Sequence, residues 1–191
     1  EAISDVAHNI ASALAGAANA AVWLGNLAVQ HARSTDLQLL AQEICRLSGA
    51  RMGYVGEAAN SVGGYLAGAV PGIDGLNAFR MINQPRHGYL LLNAEADRDF
   101  ADSHAAQRAL ETARFVVALS SFGSANLAQL ADVLLPISPF TETSGTFVNC
   151  EGKAQSFVAV AKPRGDTRPG WKVLRVLGNL LAVDGFDFND S

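Results

Sequence analysis

Residues 131–157 read ADVLLPISPFTETSGTFVNCEGKAQSF. The apolar run Val133-Leu134-Leu135, ended by Pro136, predicts a short buried strand. Beyond it, residues 145–149 and 153–159 have strand composition and are joined by Asn149-Cys150-Glu151-Gly152. Asn at the start and Gly at the end of such a connection suit a tight reversal. The stretch therefore predicts a β-hairpin that leaves the end of a sheet.

Working outward, the chain alternates helical and strand patterns. Ile3, Val6, Ile10 and Leu14 recur at helical spacing, predicting a helix over 3–18. The run at 20–24 predicts a strand, closed by Gly25-Asn26. Thr35 and Gln38 have capping-box spacing ahead of a helix with Leu37, Leu40, Ile44 and Leu47 on one face and Gly49 as its stop. Further strands are predicted at 51–55, 89–92, 115–119 and 133–135. A helix over 103–114 is capped by Asp102 or Ser103, and a loop with a short helix fills 120–130. A last helix starts near Pro169, with Asp166 or Thr167 as its cap. Short apolar strands separated by helices predict an α/β fold: a doubly wound, Rossmann-like parallel sheet of about five strands, then the hairpin and the C-terminal helix. The expected organisation is a single domain over 1–191, with the sheet core at 1–140 and the hairpin and helix at 141–191.

Hydrophobic residues make up 49% of the 191 and charged residues 17%, below the roughly 25% charged of an average soluble domain. Buried parallel strands and a surface covered by a partner both account for this. The net charge is -4 with no basic run, which argues against nucleic acid as a partner. No apolar run reaches the roughly 18 residues of a membrane span, so no direct membrane insertion is expected. Cys45 and Cys150 are the only cysteines and form no CxxC. That argues against a disulfide framework and against a cysteine-held cluster, and fits a reducing, cytoplasmic setting.

Candidate chemistry is sparse. Gly25-Asn26, the small-residue stretch 56–64 and residues 120–124 all occupy strand-to-helix turns, where doubly wound sheets bind ligands. No complete GxGxxG or phosphate loop accompanies them, so a plain turn role competes with a nucleotide-type site. His8, His31, His87 and His104 have no metal-ligand spacing, and no GxSxG elbow exists. Glu142 reads as a carboxylate accepting backbone N–H bonds; the competing reading, a catalytic acid, lacks a paired carboxylate nearby. No catalytic residue and no metal ligand is assigned.

The joint pattern Ala131, Asp132, Pro136, Glu142, Gly145, Thr146, Phe147, Asn149, Glu151, Gly152 and Gln155 resembles the molybdopterin oxidoreductase superfamily. Residues 59–63 resemble a small-residue loop of the same group. Within it, residues 136–157 and RPGWKVLRVLGNLL at 168–181 are similar to the large iron–sulfur subunit (the G subunit) of bacterial NADH:quinone oxidoreductase (respiratory complex I). The resemblance implies a fragment of a longer subunit acting as a scaffold and interaction domain. It implies partners in the rest of that subunit and in the peripheral arm, and a place on the cytoplasmic side of the inner membrane. Iron–sulfur clusters are expected outside the fragment, none within it, and the molybdopterin site is expected to be vestigial. Asn60, Gly63, Ser120, Asp132 and Glu142 are the inherited cofactor-binding positions to check. The alternative expectation is a working domain that binds a molybdopterin dinucleotide in a molybdenum or tungsten oxidoreductase. A weaker third is a stand-alone nucleotide-binding protein.

Overall fold

The computed structural model describes residues 3–190. The chain divides into two compact units. The first runs to Gly64 and takes in Val148–Lys153; the second comprises Tyr65–Phe147 and the chain from Ala154 onward.

The first unit holds α1 (Asp5–Gly16), β1 (Ala21–Leu24), α2 (Asn26–Val29), α3 (Ser34–Ser48) and β2 (Arg51–Tyr54), with α4 (Ser61–Leu66) at its end. Ser4 caps α1 by accepting the Ala7 N–H. The strands pair in parallel with Trp23 opposite Gly53. The Trp23 ring lies where a side chain at 53 would project: a Cβ there would fall 2.6 Å from it. Gly49 ends α3 in the left-handed conformation (φ 75°), its N–H returning to the Cys45 carbonyl at 2.9 Å. The expected capping box at Thr35 and Gln38 does not form. The helix begins one residue earlier, at Ser34, so both lie inside it; the cap position is Arg33, whose side chain pairs with Asp36 at 2.7 Å.

The second unit carries α5 (Ala78–Asn83), β3 (Gly88–Leu92), α6 (Ser103–Glu111), β4 (Phe115–Ser120), α7 (Ala125–Leu130), β5 (Val133–Pro136) and α8 (Gly170–Leu180). Strands β3, β4 and β5 form a parallel sheet in that order. Alternation decides its faces. Leu91, Val116 and Ala118 point into a core with Leu127 of α7 and with Ala105, Ala106, Ala109 and Leu110 of α6. Three small alanines let α6 lie close on the strands. Asp102 caps α6 through the Ala105 N–H, as its sequence predicts.

The hairpin pairs β6 (Gly145–Val148) with β7 (Ala154–Phe157). Its turn follows the predicted chemistry. Asn149 Oδ1 accepts the N–H groups of Glu151 and Lys153, and Gly152 has φ 79°. The cap expected for α8 is different. Just before the helix, Arg168 forms a single parallel bridge with Ile137, the residue after β5, and Ser138 N–H donates to the Arg168 carbonyl. Thr167 meanwhile donates its hydroxyl to the Arg164 carbonyl. The helix therefore starts only after Pro169, which offers no capping side chain.

The α/β class with parallel strands and a terminal hairpin and helix is as the sequence predicts, but the five parallel strands fall into a pair and a triplet. Folded proteins of this mass expose about 8,700 Å², or about 10,000 Å² if the two units are counted as separate domains; the chain exposes 13830 Å². Many large apolar side chains are exposed. The predicted stripes on α1 and α3 are exposed, with Val6 at 66%, Leu40 at 60% and Leu47 at 70%. Among the described residues, no helix is long and apolar enough to cross a membrane.

Leu127 is fully buried. Leu127→Ala is expected to lower unfolding free energy by about 2–5 kcal/mol in urea titrations, whereas Leu40→Ala should change it by less than about 0.5 kcal/mol.

Candidate functional site

In open parallel sheets, ligands bind beyond the carboxyl ends of the strands. In the second unit that edge consists of Asn93 after β3, residues 120–124 after β4, and Ile137-Ser138 after β5. The loop 120–124 is held by its own neighbours. The Ser120 hydroxyl donates to the Phe122 carbonyl at 2.7 Å, and the Ser121 N–H donates to Asn93 Oδ1 at 2.9 Å. Ser124 caps α7 through the Leu127 N–H. Asn93 sits at φ 47°, a left-handed conformation that Asn tolerates better than most residues, and its own N–H bonds the Leu119 carbonyl.

Two features of this edge are not accounted for by contacts within the protein. A Cβ at Gly123 would meet nothing within 4 Å, so the loop backbone there opens on empty space. Asn126 Oδ1, at the start of α7, is screened from water and has no hydrogen-bond partner. An orphaned acceptor of that kind is rare in a folded chain. The acceptor, next to the loop in sequence, is left without a donor.

The five residues singled out in the sequence are not gathered here. Asn60 and Gly63 belong to the first unit. Asn60 Oδ1 accepts the Val148 N–H at 2.7 Å, tying the hairpin tip to that unit, and its amide occupies the space a Cβ at Gly63 would need. Ser120 lies at the ligand edge. Asp132 lies at the opposite end of the sheet, where its carboxylate accepts the Val116 N–H at 2.7 Å; the four-residue rise from Val116 to Ser120 separates them by about 13 Å. Glu142 accepts the Arg164 N–H at 3.1 Å, the backbone-binding role its sequence position predicts. Thus the polar side chains among the five all have partners within the chain. Gly123 lies in the turn 120–124 that the sequence marks, whereas Asn93 and Asn126 were missed by motif reading. Asn93 left one signal, an Asn directly after an apolar strand.

Parallel strands and helical crossovers define an α/β domain with a small-residue loop at the carboxyl edge. Similarity to known proteins narrows this. A family model described as molybdopterin oxidoreductase matches residues 1–180, and the chain belongs to the molybdopterin oxidoreductase family. A protein of Staphylococcus aureus strain bovine RF122 / ET3-1, provisionally named a formate dehydrogenase, is 40% identical over 83 residues, 44% of this chain and 8% of that protein. Relatives in strains USA300 and NCTC 8325 / PS 47, named likewise, match to the same extent. The matched stretch therefore spans 8% of these relatives' length.

Two substitutions test these assignments. Gly63→Ala must displace the Asn60 amide and break its bond to Val148, with an expected loss of about 1–3 kcal/mol by thermal or urea unfolding. Glu142→Ala should lower stability by about 0.5–1.5 kcal/mol through the lost bond to Arg164; an unchanged melting temperature would rule out that role.

Proposed function

We propose that the chain is a cofactor-binding domain of a molybdopterin-family oxidoreductase, holding part of a molybdopterin dinucleotide at the carboxyl edge of β3–β5. The carrying observation is the orphaned Asn126 acceptor beside a loop whose backbone opens at Gly123. In this reading residues 120–124 and Asn126 hold the nucleotide or pterin portion through hydrogen bonds. The bonds from Ser120 and from Ser121 to Asn93 fix the loop in advance, which lowers the ordering cost of binding. When bound, such a cofactor supplies two-electron transfer at its metal; the part given to this chain is to grip and orient. Family membership and the relatives named as formate dehydrogenases support the reading.

A second reading is favoured by the internal pairing of Asn60, Ser120, Asp132 and Glu142. There the chain is a scaffold domain of the NADH:quinone oxidoreductase G subunit, in the cytoplasmic peripheral arm, with its cofactor site vestigial. Its partners would be the rest of that subunit and the adjoining subunits, covering the exposed stripes of α1 and α3.

Native mass spectrometry on the chain purified from cells that make the dinucleotide separates the two. An adduct of dinucleotide size is expected, lost in Gly123→Val, which fills the opening without a clash. A bare mass, unchanged on adding the dinucleotide, would overturn the cofactor reading in favour of the scaffold.

A further inference from the structure

A second candidate site uses none of the residues of the sheet edge. Residues 162–175 carry Lys162, Arg164, Arg168, Lys172 and Arg175 against one acid, Asp166, in a chain of net charge -4. Lys172 and Arg175 stand three apart on α8, the spacing of side chains on one helical face, and Arg168 lies two residues before the helix. They line a cavity of about 480 Å³ along α8, with Trp171, Val176 and Asn189 among its walls. A neighbouring cavity of about 530 Å³ shares Arg168, Trp171 and Lys172 and adds Lys162.

Among the described residues none of these cations is in an ion pair, although Glu142 also lines the second cavity. The ion pairs among the described residues involve Arg33, Arg46 and Arg98 and none of this group. Lys172 Nζ lies 5.2 Å from the centre of the Trp171 ring. Arg168 spends one guanidinium N–H on the Thr167 carbonyl. Two donors are orphaned beside them: Trp171 Nε1 and Arg175 Nε are screened from water and have no hydrogen-bond partner. Cations outnumber acids along the groove, Glu142 being the one carboxylate that lines either cavity, and this excess of positive charge suits an anion from outside the chain.

We propose that this groove binds the phosphate group of a small phosphorylated ligand. Lys172 and Arg175 are about 4.5 Å apart along the helix axis, with Arg168 just before the helix, which matches a compact, multiply charged anion better than an extended polymer. A planar guanidinium beside a lysine is the usual pairing for phosphate oxygens. Val173 and Val176 give the rest of the ligand an apolar wall.

Titration calorimetry with inorganic pyrophosphate, at constant ionic strength, tests this. Saturable binding is expected, weakened about tenfold or more in Lys172→Gln/Arg175→Gln and unchanged in Lys153→Gln, whose side chain lies outside the groove. Lys172 is exposed, so Lys172→Gln alone, checked for its fold by circular dichroism, should still weaken binding by about threefold. Absence of saturable binding, or equal binding by the double variant, would overturn the proposal. Citrate binding as tightly as pyrophosphate would overturn the assignment to phosphate.

Discussion

The second unit depends on one clamp at the start of its sheet. Asp132 accepts the Val116 N–H with its carboxylate and donates its own N–H to the Val116 carbonyl. Both groups of one residue thus fix β5 against β4. The clamp sets the register that places Pro136 opposite Ser120. On the other side of β4, Asn93 closes the same edge by holding the Ser121 N–H. A register slip would turn every side chain to the other face, removing Val116 and Ala118 from the core and dispersing the loop at 120–124. The candidate cofactor edge exists because the far end of the sheet is pinned.

Hydrogen bonding alone does not finish this fold. The core of the second unit is built largely from alanines of α6, with Leu127, Leu91 and Val116 as its larger members, while much apolar surface elsewhere remains open. An exposed area well above the expectation for this mass matches the scale at which permanent protein interfaces bury surface. That fits the composition, rich in apolar and poor in charged residues, and it fits a domain that works inside a larger assembly.

Much of this was legible in the sequence because local chemistry dictated it. Gly49 needed a left-handed backbone, Asp102 had the right offset from α6, and Asn149 with Gly152 specified the hairpin turn. The failures are equally physical. Thr35 and Gln38 had the spacing of a capping box, but the helix had already begun at Ser34. Asp166 and Thr167 resembled a cap, but Thr167 turns its hydroxyl back to the Arg164 carbonyl and Arg168 bridges to Ile137 before the helix starts. Periodicity marked the stripes of α1 and α3 as apolar and could not tell what covers them. The division of five strands into a pair and a triplet depends on tertiary pairing, which no local pattern encodes. At the candidate site, motif matching found Ser120 but also Asp132, at the wrong end of the sheet. It missed Asn126, whose significance lies in a partner that it lacks.

In the proposed function a dinucleotide cofactor docks on the loop after β4. Hydrogen-exchange mass spectrometry with and without molybdopterin guanine dinucleotide tests it directly. Slowed exchange is predicted at the amides of residues 121–126, with the strands unchanged because their ladder is already formed. Unaltered exchange across that loop, or protection confined to other segments, would contradict it.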